Sequence, residues 1–470
     1  MANELWRMTA CAVVELLRRG AVSPMDLIDA ALSRIAAVNP KVNALVTLGA
    51  DRARGQAKRL MEAPIEARGL LCGLPIAVKD LNDVAGLRTT YGSPIYADNV
   101  PTRSDLMVET LEANGAVPLA MSNTPEFGAG ANTFNEVFGE TLNPWDTRLN
   151  AAGSSGGSAV ALATGQVWLA TGSDLGGSLR TPASFNSVVG LRPSPGRVAA
   201  GPGELRFDML AVEGPMARNV EDAALMLDAM VGWNIEDPLS LEKPSESFRA
   251  AARRRVKPKR VALCVAPVGL PIEPEVVAAC REAADKMAKA GIAVEEASPD
   301  FGGIGEAFQT LRGARYAAKA QMLQTERAKM KPDLIWNIEM GLALSPEAIA
   351  KAELRRSQLY GDVVAFFQRY DALVLPAAPI LPRDVKERWP RQINGVALDN
   401  YVEWLKLSAL VTMTACPSLA IPAGFSADGR PIGIQVMGKP RGEAALLSAG
   451  VAFEDLLGVR DRVPIDPITH

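Results

Sequence analysis

Two glycine-serine segments stand in the middle of this chain: Gly153-Ser-Ser-Gly-Gly-Ser158 and Gly172-Ser-Asp-Leu-Gly-Gly-Ser178. The first lies within residues 149–173, an uncharged stretch that mixes apolar residues with Gly, Ser and Thr. A membrane-spanning helix of that length would be more uniformly apolar. The stretch therefore predicts backbone buried in the core of a soluble protein, with serine hydroxyls held in two tight turns.

The position of the single histidine limits the chemistry available to these serines. His470 is the last residue, and a chain terminus is a poor place to fix a general base. A Ser-His-Asp hydrolase is therefore disfavoured. If the serines react, another group must take the proton, and lysine is the best candidate.

The composition is that of an ordinary soluble protein. A net charge of −3 over 470 residues gives no electrostatic attraction for nucleic acid or for an anionic membrane. The five cysteines have no paired spacing, which argues against zinc and suits reduced thiols. The first residues lack the pattern of a signal peptide. We expect a cytoplasmic protein with a small-molecule substrate and with no metal, cofactor, nucleic-acid or membrane partner.

Apolar periodicity predicts helices that alternate with short strands. A helix is expected to begin at Pro24, after an N-cap at Ser23, and to end at Asn39-Pro40. Further helices are expected at 105–113, 220–231 and 275–290, and strands at 74–78, 116–120, 261–265, 293–296, 371–375, 411–422 and 431–437. This alternation predicts an α/β fold with a mixed, mostly parallel central sheet covered by helices on both faces.

Hydrolysis of an amide needs a nucleophile, a base and hydrogen-bond donors for the oxyanion. Ser178 follows Gly176 and Gly177, whose backbone amides could point together into a cavity. Lys79 closes the apolar run 74–78. Burial there would lower its pKa by ~2–4 units and make a neutral amine available near pH 7.

Ordinary structural explanations of the same residues stay open at this point. Glycine-serine loops are usually turns, and a lysine at the end of a strand usually reaches water. Asp174 and Arg180 are expected to brace the loop rather than to react.

Several segments follow one another in order along nearly the whole chain. They are Gly73-Leu-Pro-Ile-Ala-Val-Lys79-Asp80, Asn123-Thr-Pro-Glu-Phe127, Asn143-Pro-Trp145, Gly153-Ser-Ser-Gly-Gly157, Gly172-Ser-Asp-Leu-Gly-Gly-Ser-Leu-Arg180 with Pro182, Val189-Gly-Leu-Arg-Pro193, Gly196-Arg197 and Pro431-Ile-Gly-Ile-Gln435. In order and spacing this set resembles the amidase signature family of Ser-cisSer-Lys hydrolases. The spacing of 24 positions from Ser154 to Ser178 also fits that family.

The resemblance implies a role for each matching residue. Ser178 corresponds to the nucleophile, Ser154 to the serine that follows a cis peptide bond, and Lys79 to the base that draws the nucleophile's proton through Ser154. Ser155 is a competing candidate for the relay, although the register favours Ser154. The resemblance implies an oxyanion hole built from the backbone amides of Leu175, Gly176, Gly177 and Ser178.

The resemblance also implies a single amidase domain over residues 1–470. The expected parts are an N-terminal helical segment (1–70), a catalytic core (71–233), and a C-terminal α/β part (260–470) with variable helices around the substrate pocket. Between the last two, residues 234–259 are polar, contain Pro and Ser and lack periodicity, which predicts a linker or a surface excursion. A homodimer is left open. The candidate pocket residues are Trp145, Met322, Met330, Trp336 and Met340, although such residues more often belong to a core.

Three functional hypotheses follow. The first is a stand-alone amidase for hydrophobic or aryl amides, with reach to carbamates (urethanes) and esters. The second is the A subunit of a glutamyl-tRNA(Gln) amidotransferase, which ranks lower because residues 198–207, after Arg197, differ from the usual continuation in such proteins. The third, an inactive scaffold, is disfavoured because all three triad positions are filled.

Overall fold

The computed structural model describes residues 2–203 and 205–470. The first half begins with helices and then alternates strands with helices. Its elements are α1 (Ala10–Arg18), α2 (Pro24–Val42), β1 (Leu45–Leu48), α3 (Ala50–Glu62), β2 (Pro75–Lys79), α4 (Leu106–Ala113), β3 (Val117–Ser122), β4 (Phe134–Asn135), β5 (Gly139–Glu140), α5 (Gly156–Ala163), β6 (Leu169–Asp174), α6 (Arg180–Asn186), β7 (Val189–Arg192), β8 (Val212–Ala217) and α7 (Val220–Met230).

The second half adds a run of helices between its strands. Its elements are α8 (Phe248–Arg253), β9 (Arg260–Leu263), α9 (Pro274–Lys289), β10 (Ala293–Glu296), α10 (Ile304–Ala317), α11 (Ala320–Glu326), α12 (Pro332–Leu342), α13 (Pro346–Phe366), β11 (Ala372–Pro376), β12 (Gln392–Ile393), β13 (Val396–Ala397), α14 (Lys406–Met413), β14 (Ser418–Phe425), β15 (Pro431–Met437) and α15 (Glu443–Leu457). Short 3-10 helices lie at Ala2–Arg7, Ile65–Ala67, Pro94–Tyr96, Glu126–Gly128, Pro267–Gly269, Arg327–Lys329, Glu403–Leu405 and Arg460–Arg462.

Within the described residues, an eleven-stranded sheet runs in the order β1-β3-β2-β6-β8-β7-β14-β15-β11-β9-β10. The pairs β2–β3, β2–β6, β9–β10 and β9–β11 are parallel, and the remaining neighbours are antiparallel. The predicted mixed α/β fold is therefore confirmed, although antiparallel pairs outnumber parallel pairs in this sheet of the described residues by six to four. Antiparallel pairs occupy the centre because β7–β8 and β14–β15 are joined directly, whereas parallel neighbours need a crossover connection.

Helices pack on this sheet in separate groups. α5 and α6 pack against each other and against central strands, while α7, α8 and α15 pack together. The segment 234–259, expected to be a linker, thus contains a short helix, α8, that contacts α7 and α15. In the described part of the chain, every helix is too short or too polar to cross a bilayer.

Two predicted boundaries are wrong. α2 continues through Pro40 to Val42 and ends at Asn43, which has a left-handed backbone and donates its N–H to the Asn39 carbonyl. The helix therefore ends one turn after Asn39. The Asn39 side chain accepts hydrogen bonds from the N–H groups of Ala44 and Leu45 and so fixes the path of the chain where it leaves the helix. Residues 411–422 were expected to form one strand but divide between α14 and β14. Pro417 lies between the two elements, and the short apolar stretch before it suits a buried helix as well as a strand.

The fold brings the two glycine-serine segments side by side. The first runs into the start of the buried helix α5, and the second runs from the end of β6 toward α6. Gly157 allows α5 to approach β3 closely, since a Cβ at this position would lie 2.3 Å from the backbone nitrogen of Asn123. Both segments consequently meet the carboxyl end of β2, where Lys79 lies.

Candidate active site

Lys79 is the last residue of β2 and is completely buried. Its backbone N–H donates to Thr171 Oγ1 at 2.9 Å, which joins the ends of β2 and β6. Its Nζ contacts three serine hydroxyls: Ser154 Oγ at 2.7 Å, Ser155 Oγ at 2.9 Å and Ser173 Oγ at 2.8 Å. The sequence analysis proposed the first two contacts as alternatives, and the structure contains both.

The protonation state of Lys79 determines the direction of these hydrogen bonds. A charged ammonium donates to all three hydroxyls. A neutral amine has two N–H bonds and one lone pair, so one hydroxyl must then donate to Nζ. The cluster can therefore pass a serine proton to the amine without a large movement of heavy atoms.

Burial lowers the pKa of Lys79 to about 7, and the nearby carboxylates of Glu213 and Asp174 act in the opposite direction. Removing a cation from water disfavours its charged form. An amine with this pKa is partly neutral at neutral pH, as a general base requires.

Ser154 and Ser155 differ in what they face. The Gly153–Ser154 peptide bond is cis, as the resemblance implied. Ser154 lines the cleft described below, whereas Ser155 lies behind it and is fully buried. Ser155 also donates its backbone N–H to the Ser178 carbonyl at 3.2 Å. Ser154 thus lies between the amine and the cleft, while Ser155 helps to hold the nucleophile loop.

Ser178 is partly exposed on the wall of the same cleft. The expected hydrogen bond between Ser154 and Ser178 is absent: within residues 2–203 and 205–470, no group hydrogen-bonds to Ser178 Oγ. Catalytic hydrogen bonds are often open before substrate binds. The structure therefore brings the three candidate residues to one site without completing the relay.

The backbone amides around Ser178 are not all free. The N–H of Gly177 donates to Asp174 Oδ1 at 3.0 Å, so the prediction that this amide serves an oxyanion hole is not met in this conformation. In the described chain, the N–H groups of Leu175, Gly176 and Ser178 have no acceptor. Leu175, Gly176 and Ser178 also line the cleft, where a developing oxyanion would lie.

Asp174 braces this loop, as the sequence analysis expected. Arg180 donates to it through Nε at 3.0 Å and Nη2 at 2.9 Å, and Arg192 Nη1 lies 3.2 Å from Asp174 Oδ1. Burial alone would raise the pKa of Asp174, but the two guanidinium groups hold it well below its ordinary value. Arg180 also donates to Gln435 Oε1 on β15 at 2.7 Å, which ties the loop to the end of the chain.

The cleft has a volume of about 460 Å³, within the range of small-molecule sites. One wall is aromatic: the rings of Tyr91 and Phe127 stack with centroids 6.1 Å apart, and Tyr96 meets Tyr91 edge-on at 5.0 Å. Residues from β8 and α10 line the cleft as well, including Glu213 and Tyr316.

Of the five pocket candidates proposed from sequence, Met322 lines the cleft. Trp145 packs instead against Phe425, and Trp336 packs against Tyr401. Met330 is buried in a small cluster with α12, and Met340 packs over Gly313. The sequence analysis missed the aromatic wall and Ser173, although Phe127 and Ser173 both lie within motifs that it quoted.

Comparison with known proteins identifies the family of this chain. The Amidase family model matches residues 26–447. An acylamidase from Rhodococcus erythropolis is 34% identical, with 95% of each chain covered. The A subunit of the glutamyl-tRNA(Gln) amidotransferase from Moorella thermoacetica is 33% identical, and the match covers 98% of this chain and 99% of that protein.

Among solved structures, a bacterial aryl acylamidase of the amidase signature family superposes with a TM-score of 0.88 at 28% identity. The match covers 97% of this chain and 99% of that protein. The family model, the sequence relatives and the shared fold lead to one conclusion: this chain belongs to the amidase signature family of hydrolases.

Proposed function

We propose that this chain is a stand-alone amidase that cleaves the C–N bond of hydrophobic or aryl carboxamides through an acyl-enzyme on Ser178. The observation that carries the proposal is the position of Lys79 and Ser154. Lys79 is buried with a pKa near 7, and Ser154, 2.7 Å away, lies between it and an aromatic cleft that also exposes Ser178.

In the first step, the Ser178 hydroxyl gives its proton to Ser154 Oγ while Ser154 gives its own proton to the neutral Nζ of Lys79. The Ser178 oxygen attacks the carbonyl carbon, and the C=O electron pair moves onto oxygen. The free N–H groups of Leu175, Gly176 and Ser178 stabilise this oxyanion. Binding of the substrate must bring Ser178 Oγ within hydrogen-bond distance of Ser154.

In the second step, the tetrahedral intermediate collapses and the C–N bond breaks. The leaving nitrogen takes the proton back from Lys79 through Ser154, which regenerates the neutral amine. Water then attacks the ester on Ser178 by the same relay and releases the carboxylic acid. This reaction needs no metal and no cofactor, because a neutral amine and polarised backbone amides supply the base and the oxyanion site.

The aromatic wall supports the choice of substrate. Rings such as Tyr91 and Phe127 favour flat apolar groups by offset or edge contacts. The similarity to a bacterial aryl acylamidase supports aryl amides, and the similarity to an acylamidase from Rhodococcus erythropolis supports amide cleavage in general. Carbamates and esters share the carbonyl geometry, so we include them as secondary substrates.

The alternative is the A subunit of a glutamyl-tRNA(Gln) amidotransferase, which several relatives represent. The residues that follow Arg197 favour the stand-alone enzyme. Val198, Ala200 and Leu205 line the cleft, so the segment that the sequence analysis distinguishes from the usual continuation of such subunits also helps to form the substrate site.

The test is hydrolysis of 4′-nitroacetanilide and p-nitrophenyl carbamates by the purified chain, with the Ser178→Ala variant as control. We expect release of the nitroaromatic product by the wild type alone. Ammonia release from glutamine, and a requirement for co-purified partner proteins, would instead support the amidotransferase. No release from any amide, ester or carbamate would contradict both.

A further inference from the structure

Glu213 lies opposite Ser173 in the antiparallel pair of β6 and β8. Directly opposed residues project to the same face of a sheet, with Cβ atoms ~4.5–5.5 Å apart. Ser173 Oγ in turn accepts from Lys79 Nζ at 2.8 Å. Strand register therefore places a carboxylate one side chain away from the base, on the wall of the cleft.

This carboxylate is incompletely paired. Glu213 Oε2 is buried and has no hydrogen-bond partner. In the described residues, no lysine or arginine forms an ion pair with Glu213. A buried acceptor without a donor is costly, and such a group in a folded protein calls for an explanation.

The charged groups around Glu213 come from several elements. Arg315 on α10 is near but is paired with Asp208. Asp105 faces Glu213 from the start of α4 and accepts from Asn82 Nδ2 at 3.1 Å. Asp174, the other carboxylate near Lys79, is held by Arg180 and Arg192.

Two opposite charges are left without direct ion-pair partners. In the described residues, Lys79 contacts hydroxyls and no carboxylate directly. Glu213 is the carboxylate that acts on it most strongly, followed by Asp174. Burial raises the pKa of Glu213, while the nearby Lys79 ammonium and, to a smaller extent, the Asn82 amide lower it. Lys79 and Glu213 therefore stabilise each other's charged form.

We propose that Glu213 is a positioning residue whose carboxylate is the counter-charge for the Lys79 ammonium that forms when the base takes the proton of the nucleophile. The inference rests on the proposed role of Lys79 in the reaction. Glu213 takes no proton and forms no bond to substrate. It acts through the electrostatic field between the two neighbouring strand ends, with Ser173 lying opposite it in the register of β6 and β8.

This role has two consequences of opposite direction. With Glu213 present, Lys79 is a stronger base but becomes neutral only at higher pH. Without the charge, Lys79 is neutral at lower pH, yet the ammonium formed during the reaction is less stable. A structural defect at Glu213 would lower the rate at every pH and would leave the acid limb of the pH profile in place.

The experiment compares wild type with Glu213→Gln, which keeps the shape and removes the charge. Two quantities are measured against pH: kcat/KM for an anilide, and the rate at which a fluorophosphonate labels Ser178. In Glu213→Gln, both acid limbs should move to lower pH by about one unit, and both plateaus should fall severalfold.

Two variants serve as controls. Glu213→Asp should keep its acid limb nearer to that of wild type. Asp105→Asn, a matched loss of charge on the same wall, should move the limb by less.

An acid limb that stays in place, or that moves to higher pH, in Glu213→Gln would overturn the inference. Wild-type labelling at Ser178 would show that the proposed function survives that result, whereas no labelling of the wild type would mean that the function itself fails. If Glu213→Gln does not fold, Glu213→Met gives a second uncharged side chain of similar length for the same comparison.

Discussion

Ser154 Oγ lies 2.7 Å from Lys79 Nζ, and the same residue lines the cleft. Ser155 lies at a similar distance, 2.9 Å, from the same amine but is buried behind it. Two adjacent serines therefore share one base while only one of them can reach a substrate. The predictions below separate their roles and those of their neighbours.

Ser178→Ala should abolish amide hydrolysis while the fold is retained. The substitution removes one oxygen from a partly exposed side chain that has no hydrogen bond to lose. Mass spectrometry after treatment with a fluorophosphonate should place the adduct on Ser178 in the wild type and should find none in the variant. An adduct on Ser155 or on a cysteine would refute the assignment.

Ser154→Ala should reduce kcat by about 10²–10⁴-fold, since proton transfer of this kind contributes an effect of that size. The loss should be smaller than in Ser178→Ala, because water can partly replace the hydroxyl. Ser155→Ala is the matched control and should cost less than Ser154→Ala. The reverse order in steady-state assays would make Ser155 the relay.

The pH profile of kcat/KM tests the base directly. Because burial lowers the pKa of Lys79 to about 7 and the neutral amine is the active form, activity should rise through pH 7 and stay high on the alkaline side. It should be lost as pH falls and the amine becomes charged. Lys79→Ala should remove most of the rate together with this rise. Lys79→Arg should be no better, since a guanidinium remains charged.

A near-wild-type rate in Lys79→Ala would show that the proton goes elsewhere. A pH profile whose acid limb follows the titration of a carboxylate would likewise show that Lys79 is not the base. Of the carboxylates near the site, Glu126 is an unpromising replacement because it already accepts from Ser93 Oγ at 2.7 Å and from the Lys331 N–H at 2.8 Å.

Asp174→Asn should lower the free energy of unfolding by about 3–5 kcal/mol, because it leaves two buried guanidinium groups without their shared carboxylate. Urea unfolding followed by circular dichroism measures the change. Glu246→Gln provides a control at an exposed ion pair with Arg254 and should change stability by less than about 1 kcal/mol. Equal effects at the two positions would mean that Asp174 is not a structural brace.

Local signals made much of the fold predictable. The Ser23 cap with Pro24 begins α2 as expected, and Pro431–Met437 forms the expected late strand. The boundary errors share one cause: short-range patterns do not include tertiary contacts. Asn39 ends the helix through hydrogen bonds made beyond it, and the apolar run 411–422 carries no periodicity that separates helix from strand.

The candidate site also contains a part that the sequence predicts and a part that depends on tertiary contacts. Lys79, Ser154 and Ser178 lie in glycine-rich or strand-end motifs, so the sequence identifies them. The aromatic wall joins Tyr91 and Phe127 from separate loops, and no spacing along the chain predicts that contact. The role of the Gly177 amide could not be predicted from sequence either. Its N–H donates to Asp174, and that hydrogen bond depends on the conformation of the loop.

The order of the strands has a consequence for how the enzyme is made. β7 pairs with β14, and Arg180 beside the nucleophile loop is bonded to Gln435 of β15. During translation, Lys79, Ser154 and Ser178 thus emerge from the ribosome long before β14 and β15, the strands that pack beside the nucleophile loop, have been synthesised. The nascent polypeptide carries every reactive group while the centre of its sheet is still unfilled. Hydrolytic activity should therefore appear only after synthesis has passed β15.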